Sequence, residues 1–293
     1  MLRTTMEAAG FPETITNEVM GIIENLQNKG QWDKILQISN AIMEEDGKNI
    51  KEQLGLARNL EAELGVHKYT LELLALIPCW AMTRDRYIEN GISLDIYNRT
   101  VQDMRAKMQE CRDVYEVTGI FVGEWYNRFF AVTRFALGRL QFETETYPLD
   151  IPFEKDGVVV KKGDPVINIH IPSGEPLTEE EAEKSLKFAC EFYADYMPEN
   201  PKVFMMGSWL LDADLMKLLP EGNLKKFVHR FDVLYEEKND TFHDGWRVFA
   251  KDWEKPADQL PRKTKLQRAI ADYLQLGGKL GEGCGFFLYD QNA

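Results

Sequence analysis

Apolar positions in the first 120 residues recur at helical spacing. Ile15, Val19, Ile22, Ile23 and Leu26 fall on one face of a helix, with Thr14 or Thr16 as N-cap and Gly30 as stop. Trp32, Ile35, Leu36, Ile42 and Met43 repeat the pattern and end near Gly47, and Ile50, Leu54, Ala57, Leu60 and Leu64 form a third stripe that closes at Gly65. A fourth helical stretch runs from His67 to Asn90. The clearest stripe is Tyr97, Val101, Met104, Met108, Cys111 and Tyr115, in alternating steps of four and three, with Ser93 as its cap. Stripes of this kind are packing faces, so the first half reads as a helical layer without visible chemistry.

After Gly119 the period changes. Trp125–Leu137 is a helix or an extended lead-in, and Gly138–Glu143 then alternates apolar and polar as a half-buried strand does. Val158–Val160 leaves a hairpin turn at Asp156-Gly157, and Val166–Ile171 is a second alternating strand, broken by Pro172-Ser173-Gly174. A helix follows from Thr178 to about Tyr196, with a capping box between Thr178 and Glu181 and the stripe Ala182, Leu186, Ala189, Cys190, Tyr193. Val203–Gly207 is a buried strand, Ser208–Leu211 leads into a short helix ending near Pro220, and Phe227–Tyr235 alternates again. Thr264–Leu276 is a helix stopped by Gly277-Gly278, and Gly281–Gly285 is a turn before a last strand, Phe286–Tyr289. This order predicts an α/β (α+β) chain, with an all-helical domain over residues 1–121 and a mixed-sheet domain over residues 122–293.

Composition narrows the function classes. The 293 residues are 44% hydrophobic and carry a formal net charge of −13, which excludes wholesale disorder and argues against nucleic acid or an anionic membrane as partner. No apolar run approaches the ~20 residues of a membrane span, and the N-terminus lacks a signal-peptide stretch, so the expected location is cytoplasmic. The cysteines Cys79, Cys111, Cys190 and Cys284 show no paired spacing and read as reduced thiols. His229 and His243, with Asp232, Asp240 and Asp244 nearby, match no metal-binding motif, and no metal is expected.

Period-2 geometry supplies candidate chemistry. Arg139, Gln141 and Glu143 share one face of the first strand, and Asn168 and His170 oppose the isoleucines of the second. Two polar strand faces together would line a cleft with Gln141, Glu143, Asn168 and His170, where His170 or Glu143 could act as general base. The alternative is the solvated face of a sheet. Gly207-Ser208-Trp209 lacks the second glycine of a nucleophile elbow, so Ser208 reads as a cap or a hydrogen-bonding group, and Trp209 as core or pocket wall. Tyr235 could protonate a leaving thiolate or be an ordinary strand tyrosine. Arg262, Lys263, Lys265 and Arg268 could reach a phosphate or form a solvated helix face.

Three segments carry a family resemblance: Gly138-Arg139-Leu140-Gln141-Phe142-Glu143; Asn168-Ile169-His170-Ile171-Pro172-Ser173-Gly174 with Pro176-Leu177-Thr178; and Ser208-Trp209-Leu210-Leu211 with Leu218-Leu219-Pro220. Through them the chain resembles the bacterial acyltransferase family that joins a helical N-terminal domain to a GNAT-like C-terminal domain. The resemblance implies acetyl-CoA or another acyl-CoA as donor and a small-molecule amine as acceptor, which attacks the thioester directly while a general base removes its proton; His170, Glu143 and Ser208 are the catalytic candidates in this sequence. It also implies that Ile171, Ser173, Gly174, Ser208 and Trp209 contact coenzyme A, with the pyrophosphate on the turn before the Thr178 helix. The helical domain would shape the acceptor pocket or a homo-oligomer contact.

The chain departs from the GNAT pattern at that turn. It has one glycine, and Glu179, Glu180 and Glu181 occupy the first helical turn, where negative charge opposes a diphosphate. The competing reading is a non-catalytic GNAT-like ligand- or partner-binding protein. Parallel strands parted between the His170 strand and the Val203 strand, with backbone N–H groups facing a channel, favour the acyltransferase; a closed, side-chain-filled seam favours the binding module.

Overall fold

Each apolar stripe of the first half is helical in the computed structural model, which describes residues 1–291. The helices are α1 (Leu2–Ala8), α2 (Glu13–Asn28), α3 (Trp32–Glu44), α4 (Ile50–Asn59), α5 (Glu61–Leu64), α6 (Lys68–Glu89), α7 (Leu94–Val101), α8 (Asp103–Tyr115) and α9 (Asn127–Phe130). Pro12 is the N-cap of α2, so Thr14 lies inside the first turn and neither it nor Thr16 caps the helix. The third stripe breaks at Leu60. The Tyr97–Tyr115 stripe breaks at Gln102, after Thr100 bonds back to the Ile96 carbonyl at 2.7 Å, a bond that bends helices. Ser93 caps α7 as expected, accepting from the Asp95 N–H. Trp80 of α6 anchors the core, with the rings of Tyr126, Phe129 and Phe130 within 5.6 Å. These packing partners come from the lead-in after Gly119, and one compact unit comprises Met1–Ala136 with Pro172–Gly174.

Glu72 sits among the buried residues of α6, with one oxygen 2.8 Å from Arg58 of α4 and the other unbonded. Burial raises its pKa to about 7 despite the Arg58 hydrogen bond. The folded state therefore binds this proton more tightly than the unfolded chain does. Stability from the protonated form is complete below the unfolded value near 4.5 and is lost as pH rises through 7. The helical unit is expected to lose roughly 2–3 kcal/mol over that window, and Glu72→Gln to flatten the dependence. Urea titrations at several pH values check this; equal slopes for both proteins would refute it.

The second unit, Leu137–Ile171 and the chain from Glu175 onward, is built on a sheet. Its strands are β1 (Arg134–Leu137), which straddles the division, β2 (Leu140–Thr146), β5 (Pro165–His170), β6 (Lys202–Ser208), β7 (Asp232–Lys238) and β8 (Gly281–Tyr289), in the order β1-β2-β5-β6-β8-β7. Strands β3 (Phe153–Lys155) and β4 (Val158–Val160) form a separate hairpin around Asp156-Gly157, both at positive φ. Helices α10 (Glu179–Phe192), α11 (Ala213–Leu218), α12 (Asn223–Val228), α13 (Trp246–Phe249) and α14 (Lys265–Gln275) complete the unit. One sheet face carries Phe204 and Phe287, stacked at 5.4 Å, with Phe231 against Phe287 at 4.8 Å. The hairpin covers part of the other face: Phe153 and Val160 join Tyr147, Val166, Val203, Met205 and Phe286 in one buried cluster.

Four local expectations change. Gly138-Arg139 is a turn rather than strand; Gly138 has φ +82°, and a Cβ there would lie 2.5 Å from Ser185 Oγ. Phe227 and Val228 are helical, because Phe227 and Phe231 fit the four-residue step as well as alternation, and their rings meet at 5.8 Å. Gly281–Gly285 is strand rather than turn. A Cβ at Gly283 would sit 2.3 Å from the Leu211 carbonyl oxygen, so the glycine lets the Trp209–Leu211 turn lie directly on β8. The Thr178 helix ends at Phe192, and Thr178 caps the Glu181 N–H while the Glu181 side chain pairs with Lys184. No helix among the described residues is long and apolar enough to cross a membrane.

Candidate active site

The antiparallel register of β2 and β5 sets Gln141 opposite His170 and Glu143 opposite Asn168, so the polar faces of the two strands coincide. His170 Nε2 lies 2.6 Å from Glu143 Oε1, and Asn168 Nδ2 donates to the same oxygen at 3.1 Å. Glu143 is 3% exposed and His170 17% exposed, which leaves the imidazole accessible and its carboxylate partner dry. The same ring nitrogen lies 3.3 Å from Asn168 Nδ2, so one carboxylate and one amide meet the imidazole edge. Asn168 Oδ1 is buried with no hydrogen-bond partner. Arg139, expected on this face, instead donates from Nε to the Glu175 carbonyl at 2.9 Å, because it lies in the turn.

Beside this group the sheet opens. Strands β5 and β6 run parallel, but their pairing comprises only Ile167 with Phe204 and Asn168 with Met205. Continued pairing would set His170 against Gly207 and Ile171 against Ser208; the ladder stops first. Gly207 is exposed, and a Cβ there would meet nothing within 4 Å.

Ile171 and Ser208 therefore lie just past the point where the two strands cease to pair. Ser208 Oγ accepts from the Leu210 N–H at 3.2 Å and caps the following turn, the role of a cap rather than of a nucleophile. Trp209 is half-buried against Phe242, ring centroids 5.7 Å apart. Ser173 Oγ donates to Glu110 Oε1 at 2.5 Å, and Lys107 Nζ holds that carboxylate at 3.2 Å. Gly174 has φ +111°, a conformation for which glycine is suited. Sequence reasoning missed Lys107 and Glu110; with Asp103 they follow the same 4–3 step as the apolar stripe beside them, the one available signal of burial.

At the start of α10 a cavity of about 170 Å³ is lined by Thr178, Glu179, Asn223, Lys226 and Arg230, among others. The glutamates of this helix start have counter-charges: Lys226 is 3.8 Å from Glu179, Lys184 is 2.7 Å from Glu180, and Arg230 is 2.5 Å from Glu183. These pairs are solvent-exposed and exchangeable, so the acidic turn does not present its full charge to an incoming anion. Lys226 and Arg230 carry no motif in the sequence.

The remaining candidates lie elsewhere. Tyr235 is half exposed and donates to Glu237 at 3.1 Å. Arg262 and Arg268 are spent on local bonds around Leu260 and Lys263. Burial pushes the Cys190 and Cys284 thiols up to about 11, which disfavours thiolate chemistry. No group of three or more metal-ligating side chains occurs among the described residues.

Comparison with known proteins follows the same division. The model of the N-acyltransferase N-terminal domain matches residues 1–132, and that of the GNAT-like C-terminal domain matches residues 135–287. No curated protein matches the chain. A crystal structure of an acyltransferase in complex with decanoyl-CoA and teicoplanin superposes with TM-score 0.75 at 21% identity, covering 98% of this chain and 87% of that one. An acyltransferase mutant in complex with octanoyl-CoA gives 0.74 at 21% identity, with the same coverage of 98% and 87%. A third, an acyltransferase with decanoyl-CoA, gives 0.70 at 18% identity, with 97% and 86% covered. At these identities the likeness establishes the fold.

Proposed function

The chain belongs to the family that joins an N-acyltransferase N-terminal domain to a GNAT-like C-terminal domain, and from that premise we propose that it transfers an acyl group from acyl-CoA to a small-molecule amine. The observation that carries this reading is the parting of β5 and β6 beside the His170–Glu143 pair. The solved acyltransferases of this fold compared above hold acyl-CoA, and one is in complex with teicoplanin as well, which supports a second, non-CoA ligand for the reaction proposed here.

The donor fits the residues present. Its pantetheine arm would pass between the parted strands, near Ile171 and Ser208, and the buried Asn168 Oδ1 can accept from an amide N–H there. Its phosphates would meet Thr178, Lys226 and Arg230 at the start of α10, exchanging the Glu179 and Glu183 pairs for charge-assisted bonds. The acceptor nitrogen attacks the thioester carbon; the C–N bond forms and the C–S bond breaks. The His170 imidazole takes the proton released by the nitrogen, Glu143 holds the resulting imidazolium, and the proton then passes to the departing thiolate to give free CoA.

Calorimetric titration of the purified chain with CoA and acetyl-CoA tests the reading. Micromolar binding is expected, and Lys226→Ala combined with Arg230→Ala should weaken it by roughly tenfold or more. No binding at millimolar ligand would instead support the non-catalytic ligand- or partner-binding protein.

A further inference from the structure

Sheet register bears on the length of the acyl group. Asn168 pairs with Met205, Met205 with Phe286 and Gly207 with Cys284, so all of these share the face that carries His170. The two ends of that face differ. At Gly207 the sheet is open, with nothing within 4 Å of a Cβ position. One strand repeat earlier, about 7 Å away, Met205 is only 8% exposed. It packs with Val166, Val203 and Phe286, and Tyr147, Phe153 and Val160 close over them. The Phe286 ring is 4.6 Å from Tyr147 and 5.7 Å from Phe153. Lys155 pairs with Asp232 of β7 at 2.6 Å, which ties the hairpin down.

We propose that the β3–β4 hairpin restricts the donor to short acyl groups, acetyl to butyryl, with Phe153 and Val160 closing the far end. This rests on the acyl-CoA reading above. With the thioester over Gly207 beside His170, a chain directed along β6 toward Met205 meets a packed apolar cluster rather than a channel. Close-packed side chains yield to an inserted chain only by being unseated. In the opposite direction β6 ends at Ser208 and the Trp209–Leu211 turn. The substrate class would therefore differ from the octanoyl- and decanoyl-CoA held by the solved neighbours.

The test is a calorimetric series on the full chain with CoA and its acetyl, butyryl, octanoyl and decanoyl thioesters. An apolar channel would raise affinity about fourfold per buried methylene. The expected result is that octanoyl- and decanoyl-CoA bind no tighter than butyryl-CoA, and that Phe153→Ala raises the octanoyl-to-acetyl affinity ratio at least tenfold. Octanoyl-CoA binding the unaltered protein tenfold tighter than acetyl-CoA overturns the inference and leaves the acyl-CoA reading standing. An unchanged ratio in a folded Phe153→Ala protein also overturns it. Failure of CoA itself to bind at millimolar concentration overturns both. The series on unaltered protein decides the question even where Phe153→Ala does not fold.

Discussion

Replacing His170 by alanine is expected to lower kcat/KM for acyl transfer by about 10²- to 10⁴-fold, the range set by loss of a positioned general base. The effect should fall on kcat, because the imidazole engages the proton released during attack and not the bulk of the donor. Glu143→Gln keeps the shape of the buried side chain but removes the charge that stabilises an imidazolium 2.6 Å away, and should cost about 10- to 10³-fold. The two residues act as one unit, so the double variant should be little worse than His170→Ala alone. Release of free CoA, followed with a thiol reagent against a panel of amines, measures all three. Rates within threefold of the unaltered protein for both single variants would remove the pair from the chemistry.

Asp212→Ala is expected to destabilise the sheet unit by roughly 2–4 kcal/mol, a drop in Tm on the order of 10 °C. Asp212 is fully buried. Its Oδ1 accepts from the Asp214 and Leu215 N–H groups at 3.0 Å each, which caps α11, and from Lys238 Nζ at 2.7 Å. Its Oδ2 accepts from the Gly281 N–H and from Lys238, both at 2.8 Å. Truncation removes a helix cap, orphans a buried N–H and takes from Lys238 its most buried partner. Lys238 keeps Asp214 at 3.0 Å and Glu236 at 2.6 Å, so its charge is not stranded. Asp212→Asn retains an acceptor for the cap and should recover about half of the loss. Urea denaturation of the two variants checks the size and the order, and a loss below about 1 kcal/mol in Asp212→Ala would refute it. The position matters for the site because Asp212 follows directly on the Trp209–Leu211 turn.

Much of the candidate site is legible in the amino-acid order. Strand alternation alone selects His170, Glu143, Gln141 and Asn168, and the fold brings His170, Glu143 and Asn168 into mutual contact. Arg139 departs from that pattern because alternation does not mark where a strand begins; the turn at Gly138 is set by the close approach of Ser185, 46 residues away from Arg139. Gly281–Gly285 departs for a related reason. Its glycines announce a turn locally, whereas in the fold they make room for Leu211 and for the Glu237 carbonyl. The acidic start of α10 reads as hostile to phosphate because its counter-charges, Lys226 and Arg230, are remote in sequence.

What the sequence determined by itself is therefore periodic: the helical stripes of the first unit, the polar and apolar sides of β2 and β5, and the Asp156-Gly157 hairpin. Side-chain period follows from the backbone geometry of each element and needs no distant partner. Tertiary structure alone decided which polar faces meet, that the β5–β6 ladder ends at Asn168 and Met205, that Ser173 is held by Glu110, and that Phe153 and Val160 seat on Met205 and Phe286. Each of these depends on register or contact between segments far apart in the chain, fixed by the packing of whole faces rather than by the residues of any one strand.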